Sequence, residues 1–459
     1  MKHAKVSYGK RGGGASSLAA LLAIAAGAAT ASFGGVGSSA PQVTDVAVAQ
    51  IRDEDRTVTV EYALSEDAIV TVDFQTNTLP HAAGAWVSIG ASNFVSVAGD
   101  VNRVVAKTTG SERRRISWPA RTDWPDVRIH DGSFQAVVTA SSRLDPPDYL
   151  VIDLTQKSNC WYFTSADALP WGPITNKIYK DQLLPMRRIR ARGRVWLMGS
   201  TPIGKSQNSI TRTNEDAHRV MLTRDYYIAV YLTTRAQRGL VDGTSYDASL
   251  ARLPAQATWN KLRGDATTDG NNWPTFLADG TLDYETSHKV SPTSLVASYR
   301  SFTGFDGLDL PTEAQWEYAC RGTDRTEYVI TGERPNDASN LNVAARNNGN
   351  KNTADCEGLV NGRATVGSYP ANSFGLYDML GNALEWCLDW FENWATCNDG
   401  GPLDTSRVIV DPVGPSTGTS REARGGDYST GANYMYITLR AFSYAPSTEI
   451  GFRLVMDIR

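Results

Sequence analysis

Apolar and polar residues alternate through much of the first third of the chain, and this alternation predicts β-strands. Residues 57–64 and 68–74 alternate on either side of a Ser-Glu-Asp turn, with the period of a strand that buries one face. Three further short runs repeat the pattern: residues 93–97, 115–118 and 134–139. So many short strands predict an all-β sandwich of immunoglobulin or fibronectin type III class over residues 41–154.

The alternation ends near a proline-rich break at residues 145–148, and residues 155–190 are predicted to be an irregular connector. Further along, residues 312–322 have the signals of a helix. Thr312 is placed as its N-cap, Glu313 lies in its first turn, and Gly322 ends it. Its predicted buried contacts are Leu310, Ala314, Trp316, Tyr318 and Ala319.

Residues 1–31 have the composition of a secretory signal peptide. Four basic residues precede a short apolar stretch, and Ala29 and Ala31 provide a small-residue cleavage site. The apolar stretch is shorter than the ~20 residues that cross a bilayer. We therefore expect export to the periplasm, the cell surface or the medium, with no membrane span once the signal is removed.

Charge and cysteine usage narrow the functional classes further. The 459 residues have a net charge of only −4, so no overall field favours nucleic acid as a partner. The arginine run at residues 187–194 is interpreted as a solvated strand edge. Five cysteines in an exported chain allow two disulfides and one free thiol, with Cys387–Cys397 as the preferred pair. Their spacing does not favour zinc.

Three motifs in the second half carry a resemblance to a known family. They are Leu310-Pro-Thr-Glu-Ala-Gln-Trp-Glu-Tyr318, the run from Asn372 to Trp386, and Arg424-Gly-Gly-Asp-Tyr428 with the closing Gly451-Phe-Arg453. They resemble the formylglycine-generating enzyme (sulfatase-modifying factor) family. The resemblance implies that residues 191–459 form an α+β domain with many loops, a variant of the C-type lectin architecture.

The resemblance also implies structural calcium. Its ligands would be the side chains of Asp378 and Glu385 with the carbonyls of Gly381 and Ala383, a set of oxygen donors that suits Ca²⁺. A second site would begin at Asn340 and Leu341. The alternative for the first site is a turn in which Asp378 caps the backbone and Glu385 is paired with an arginine.

The family's catalytic residues are not found at their expected positions. Its two cysteines bind copper(I) as thiolates, and they align here with Thr430 and Met435. Because soft thiolates select copper(I) and a hydroxyl cannot replace one, the sequence argues against copper and against the family's oxidation. The five histidines are scattered, which also disfavours the related non-haem iron enzymes.

A recognition surface is the remaining interpretation. Tyrosine together with serine, threonine and asparagine is typical of adaptable binding surfaces. The candidate ligand-binding residues are Asp427, Tyr428, Thr430, Asn433, Tyr434, Tyr436 and Tyr444. We expect an exported protein that binds a protein or glycan. The alternatives are a formylglycine-generating oxidase whose metal is held by other residues, and a structural cell-surface module.

The same segment resembles the variable C-terminus of proteins that are targets of diversity-generating retroelements, since each of its polar and aromatic residues is reachable from an Asn AAC codon by changing adenines. Met435 and Glu449 do not fit such a codon. Ordinary polar loop composition is the alternative, and the gene's own codons distinguish the two.

Overall fold

The computed structural model describes thirteen stretches of the chain: residues 20–23 (backbone only), 40–51, 53–77, 85–125, 133–200, 217–265, 273–323, 345–355, 357–359, 362–391, 407–431, 434–440 and 449–459. It divides into two compact units. The first comprises residues 1–150 and 160–176, and the second comprises residues 151–159 and 177–459.

The first unit is built from β-strands in two sheets. Its strands are β1 Ala20–Ala23, β2 Val43–Gln50, β3 Thr57–Leu64, β4 Ala68–Asn77, β5 Trp86–Ser88, β6 Ala98–Gly99, β7 Arg103–Val105, β8 Arg114–Pro119 and β9 Phe134–Ser141. One sheet has the order β1-β2-β3-β8-β6; in the other, β4 pairs with β5, β7 and β9. Valines on alternate positions of β2 and β3 face Phe74 and Val138 of the other sheet in one core.

The predicted strand at residues 93–97 is wrong. Residues Ala91–Asn93 form a 3₁₀ turn, and Phe94 inserts its ring into the core. There it contacts the edge of Phe74, at 5.3 Å between ring centroids. The buried ring of Phe94, and not a strand, therefore accounts for the apolar pattern at residues 93–97. The predicted signal segment lies outside the described residues except for β1, which pairs antiparallel with residues 47–50.

Strand β10 Tyr149–Asp153 crosses the boundary between the units, and β11 Cys160–Phe163 belongs to the first. The second unit continues with β12 Leu183–Ile189, β13 Val195–Met198, β14 His218–Met221, β15 Tyr226–Ala229, β16 Gln256–Ala257, β17 Leu308–Asp309, β18 Glu385–Trp390, β19 Val408–Val410, β20 Arg421–Arg424, β21 Ile450–Gly451 and β22 Val455–Asp457. They form three small sheets, ordered β12-β15-β22-β17, β13-β14-β19 and β16-β21-β18-β20.

The helices of the described residues are short. They are α1 Ala120–Asp123, α2 Ile178–Asp181, α3 Arg235–Asp242, α4 Trp259–Arg263, α5 Tyr284–Ser287, α6 Leu295–Thr303 and α7 Glu313–Arg321. None of them is long and apolar enough to cross a bilayer.

The prediction of α7 is confirmed. Thr312 caps it by accepting a hydrogen bond from the Gln315 N–H, and the Gln315 side-chain oxygen accepts one from the Thr312 N–H, which completes a capping box. The apolar residues predicted to be buried are buried, but so are Glu313 and Glu317. Both glutamates form buried ion pairs with arginines of the candidate site.

Two predictions in the linking region are corrected. Residues 155–190 are not an irregular connector, because they include β11, α2 and β12. Cys387 carries a free thiol within the core of the second unit, so the preferred bond to Cys397 is not formed; Cys397 and Cys356 lie outside the described residues. Burial raises the pKa of the Cys387 thiol well above its usual value, so it stays protonated.

Candidate functional site

The loop at residues 377–385 is fixed by unusual backbone conformations. Asp378 and Asn382 have positive φ angles of 55° and 63°, and Gly381 has a φ of 79°. A Cβ on Gly381 would collide with the carbonyl oxygen of Arg346, so only glycine fits there. The Asn382 side chain bonds both the N–H and the C=O of Ala364, at 2.9 and 3.1 Å. The loop is therefore held rigidly against two neighbouring segments.

Glu385, at the end of this loop, is fully occupied by protein donors. The Arg453 guanidinium donates hydrogen bonds to its two carboxylate oxygens at 2.8 and 3.0 Å, and the indole N–H of Trp316 donates to one of these oxygens at 2.9 Å. All three side chains are buried. Arg453 also donates to the carbonyls of Ala229 and Val230, at 2.8 and 2.9 Å. The pair thus ties β18 to the strand segment that follows β15.

Asp378 has one oxygen satisfied and one without a partner. Its Oδ2 accepts a hydrogen bond from the N–H of Gly367 at 2.6 Å, whereas Oδ1 is buried and has no hydrogen bond. Burial raises the pKa of this carboxyl to about 6.

As arranged, these residues do not fit the calcium site that the resemblance implies. Of the two predicted carboxylates, Asp378 has one oxygen open to a cation, whereas the charge of Glu385 is already neutralised by Arg453. The carbonyl of Gly381 accepts a hydrogen bond from Ala383. Within the described stretches, no three His, Cys, Asp or Glu side chains converge as a metal site would require. Asn340 and Leu341, the proposed start of the second site, lie outside the described residues.

Thr430 and Met435, the positions aligned with the family's cysteines, are brought together around Gly426. A Cβ at Gly426 would lie 2.9 Å from the Met435 sulfur and 3.3 Å from the Thr430 hydroxyl oxygen. Met435 is only 1% exposed. The alignment of these two positions therefore corresponds to a real convergence in space, occupied here by a thioether and a hydroxyl.

The predicted recognition residues divide between surface and core. Tyr434 is 56% exposed. Tyr428 is half-buried, with the guanidinium of Arg363 5.2 Å from its ring centroid. Asp427 organises the turn between them, since its Oδ1 accepts hydrogen bonds from the Ser429 N–H, the Ser429 hydroxyl and the Thr430 hydroxyl. We call the surface formed by Arg363, Asp427, Tyr428, Thr430 and Tyr434 the tyrosine face.

Tyr436 is not part of the tyrosine face, contrary to the prediction. Its side chain is buried against Leu439. The chain turns inward after Tyr434, so that Met435 and Tyr436 both point into the protein. Asn433 and Tyr444 lie outside the described residues.

Buried ion pairs with α7 hold both ends of the segment that carries the tyrosine face. Arg424 pairs with Glu317 and donates to the carbonyls of residues 437–439. Arg440 pairs with Glu313 at 2.7 Å and with Glu422 at 2.9 Å. Breaking one partner of a buried pair is strongly destabilising. The tyrosine face is therefore held in place by buried ion pairs.

Asp389 completes this buried polar region. Its Oδ2 accepts a 2.7 Å hydrogen bond from the Glu313 N–H, in the first turn of α7. It is 1% exposed. Burial, and then the nearby charge of Glu313, raises the pKa of Asp389 to about 7.

Two arginines of the site could not be assigned from the sequence. Arg363 stands beside Tyr428, and Arg346 donates from a buried position to the carbonyls of Gly362, Asn350, Thr353 and Lys351. A single arginine thus organises a loop that has little regular structure. An isolated arginine in a polar stretch gives no periodic signal, so nothing in the pattern pointed to either residue.

The family model that matches this chain lies within the second unit. Residues 185–458 match the model of the sulfatase-modifying factor enzyme 1-like domain family. Formylglycine-generating enzyme from Bos taurus is 31% identical over 39% of this chain and 46% of its own length. The enzyme from Streptomyces coelicolor is 35% identical over 34% of this chain and 49% of its own length. The chain thus spans about half the length of these relatives.

Other matches have different names. The serine/threonine-protein kinase Pkn1 of Chlamydia trachomatis is 29% identical over 39% of this chain and 26% of its own length. Among solved structures, Treponema denticola variable protein 1 aligns with 60% of this chain and 95% of its own, at 20% identity and a TM-score of 0.40. The match to the family model extends over more than half of the chain, and the motifs around Trp316, Glu385 and Gly426 lie within it. The chain therefore belongs to the sulfatase-modifying factor enzyme 1-like domain family.

Proposed function

We propose that this chain is an exported binding protein that recognises a protein or glycan through the tyrosine face and does not carry out formylglycine formation. The observation that carries the proposal is the pair of side chains that flank Gly426. Both positions aligned with the catalytic cysteines hold residues that cannot form thiolates, namely Thr430 and Met435.

The chemistry of copper(I) supports this reading. The ion is held by soft thiolate ligands, and a threonine hydroxyl is hard while a single thioether is uncharged. The other cysteines described in the second unit, Cys320 and Cys387, are fully buried. Burial raises the pKa of both thiols, so neither supplies a thiolate.

The composition of the tyrosine face supports recognition. The exposed Tyr434 ring offers rigid amphipathic area, the Arg363 guanidinium lies over the ring of Tyr428, and Asp427 and Thr430 add a carboxylate and a hydroxyl. The buried ion pairs below keep the backbone of the face in place. Pre-organisation of this kind lowers the entropic cost of binding. In this proposal the first unit is a spacing module of immunoglobulin or fibronectin type.

Copper(I) titration of the full chain tests the non-catalytic claim. We expect no stoichiometric copper(I) binding and no oxidation of a cysteine-containing peptide. The double variant Thr430→Cys/Met435→Cys is the matched comparison, because it places two thiols around one point beside Gly426. We expect it to bind one copper(I). Tight binding and peptide turnover by the unaltered chain would overturn the proposal and favour the oxidase.

Recognition is tested by selecting ligands from a phage-displayed peptide library and a glycan array with the full chain. Tyr434→Ala should reduce binding of the selected ligands roughly tenfold or more, the loss of a typical aromatic anchor. Tyr246→Ala is the control, since Tyr246 is also exposed, at 42%, but lies outside the face. Ligands that respond equally to both substitutions would contradict the assignment of the face.

Calcium remains a proposal with its own test. Binding at the loop would require Glu385 to release Arg453 or Asp378 to act almost alone. A thermal melt with calcium and with chelator separates the cases, because a ligand that binds only the folded state raises the midpoint. An unchanged midpoint would count against calcium and leave the tyrosine face proposal intact.

A further inference from the structure

A strongly basic cleft lies in the second unit, formed by residues outside the tyrosine face. Its volume is about 540 Å³, within the roughly 300–1,000 Å³ of typical ligand pockets. We call it the arginine cleft. The residues that the structure describes line it with six arginines and with no aspartate or glutamate: Arg187, Arg188, Arg190, Arg194, Arg219 and Arg321. Such concentrated positive charge contrasts with the net charge of −4 for the whole chain.

The six arginines have different roles. Arg188 and Arg321 are buried and anchored. Arg188 pairs with Asp225 at 2.6 Å, and Arg321 pairs with Glu317 at 2.6 Å and donates to the Gly199 carbonyl at 2.9 Å. Their guanidinium groups are therefore part of the wall.

Arg194 and Arg219 are the available cations. Both are exposed, and neither makes an ion pair with any residue that the structure describes. An arginine without an ion-pair partner favours oxyanions, because its guanidinium can donate two parallel hydrogen bonds to one carboxylate or phosphate. Among the described residues, the lining contains no lysine. This selection of arginine indicates planar, bidentate recognition rather than diffuse attraction.

Aliphatic side chains stand beside these cations. Val195 and Leu197 line the cleft and are 37% and 44% exposed. Leu197 lies directly opposite Arg219 in the antiparallel pair β13–β14, so the two side chains share one face of the sheet. The surface thus alternates guanidinium and aliphatic groups.

A buried donor is also unsatisfied in the lining. The indole N–H of Trp196 is buried and has no hydrogen-bond partner in the part of the chain that the structure describes. Buried polar groups without partners are uncommon and call for an explanation. An acceptor brought by a ligand is one explanation that fits its place in the cleft wall.

The lining distinguishes among three kinds of anionic partner. A single-stranded nucleic acid needs exposed aromatic rings for base stacking, but among the described lining residues Trp196 and Tyr318 are at most 9% exposed and Phe374 is partly buried. Glycan hydroxyls need acceptors as well as donors, and the lining side chains within the described stretches offer no carboxylate or amide acceptor. A peptide with carboxylates and aliphatic side chains complements both the charge and the apolar groups.

We propose that the arginine cleft binds an extended acidic peptide segment of a partner protein. Its carboxylates pair with Arg194 and Arg219, and its aliphatic side chains pack on Val195 and Leu197. The proposal is independent of the tyrosine face, since the two sets of residues do not overlap.

A fluorescein-labelled peptide of alternating glutamate and leucine, titrated with the full chain, tests this proposal. We expect saturable binding that weakens as salt is raised, because exposed charges are screened. The double variant Arg194→Gln/Arg219→Gln should weaken binding roughly tenfold or more. The control Lys261→Gln/Lys289→Gln removes the same charge from exposed positions of the second unit outside the cleft, and should change binding less than about threefold.

Two further probes decide the chemistry. Replacing leucine by serine in the peptide should weaken binding, and equal binding would overturn the aliphatic part of the assignment. Heparin and a single-stranded oligothymidylate serve as the polyanion comparisons. If either binds more tightly than the peptide and depends on Arg194 and Arg219, the peptide assignment is wrong. Because both arginines are exposed, we expect the double variant to melt at the same temperature as the parent. An unchanged melt then excludes unfolding as the cause of weaker binding.

Discussion

Replacing Asp389 of β18 by asparagine should stabilise the second unit, although the residue is buried and its side chain bonds the first turn of α7. The asparagine Oδ1 can still accept the hydrogen bond that the Glu313 N–H now gives to the carboxylate at 2.7 Å. What the substitution removes is a negative charge in a site that already holds Glu313 and Glu422. Arg440 is the cation that pairs with both glutamates.

The magnitude follows from the pKa of Asp389, which is raised from 3.8 to about 7. Each unit corresponds to about 1.4 kcal/mol, so ionising this carboxyl in the folded state costs on the order of 4 kcal/mol. The folded state binds the proton more tightly than the unfolded state does. The cost is therefore absent below about pH 4, grows as the pH rises to about 7, and is constant above that.

Urea unfolding followed by tryptophan fluorescence, at about pH 5 and about pH 8, measures the effect as a difference between variant and parent. The stabilisation by Asp389→Asn should grow by roughly 2–3 kcal/mol between the two pH values. Asp279→Asn is the control, because Asp279 is exposed and its hydrogen bonds with Thr281 lower its pKa. A variant that is less stable than the parent at the higher pH, or an equal gain at both, would refute the reasoning.

Three other predictions concern the framework of the site, and urea midpoints measure each. Arg453→Met should cost about 3–5 kcal/mol because it leaves Glu385 buried and unpaired; a loss below about 1 kcal/mol would mean that the pair contributes little. Thr312→Ala should cost about 1 kcal/mol through loss of the helix cap, and no change would show that the capping box is dispensable. Gly381→Ala should cost about 4 kcal/mol or more, whereas Gly243→Ala, with a similar φ but open space around it, should cost only about 1 kcal/mol; equal losses would contradict the steric argument.

Local signals in the sequence were sufficient for several elements. The alternation at residues 57–64 became β3 with the predicted bounds, and Thr312 caps α7 as its sequence indicates. Both depend on neighbours within a few positions, which is the range that periodicity and capping rules cover. The apolar run near Phe94 failed because an aromatic ring can reach the core from a turn as well as from a strand.

Long-range pairing is what the sequence could not supply. The arginine run at residues 187–194 was interpreted as a solvated edge, yet Arg188 is buried against Asp225, 37 positions away. Tyr436 has the composition of a recognition residue but points inward. The Glu385 carboxylate is likewise held by Arg453, which lies 68 positions away. For Arg188 and Glu385 the contact that fixes the side chain joins residues far apart in the sequence, and such a contact leaves no local pattern.

The position of β22 has a consequence for how the second unit folds. This strand lies between β15 and β17, and it pairs Tyr226 with Asp457. A sheet closed by contacts of such sequence separation folds slowly, because the loop entropy is lost before the contacts form. The unit cannot complete its central sheet on a growing chain until residues 455–457 have emerged. Until then strands β15 and β17 each keep an unpaired edge, which is when a chaperone has most influence on whether the chain folds or aggregates.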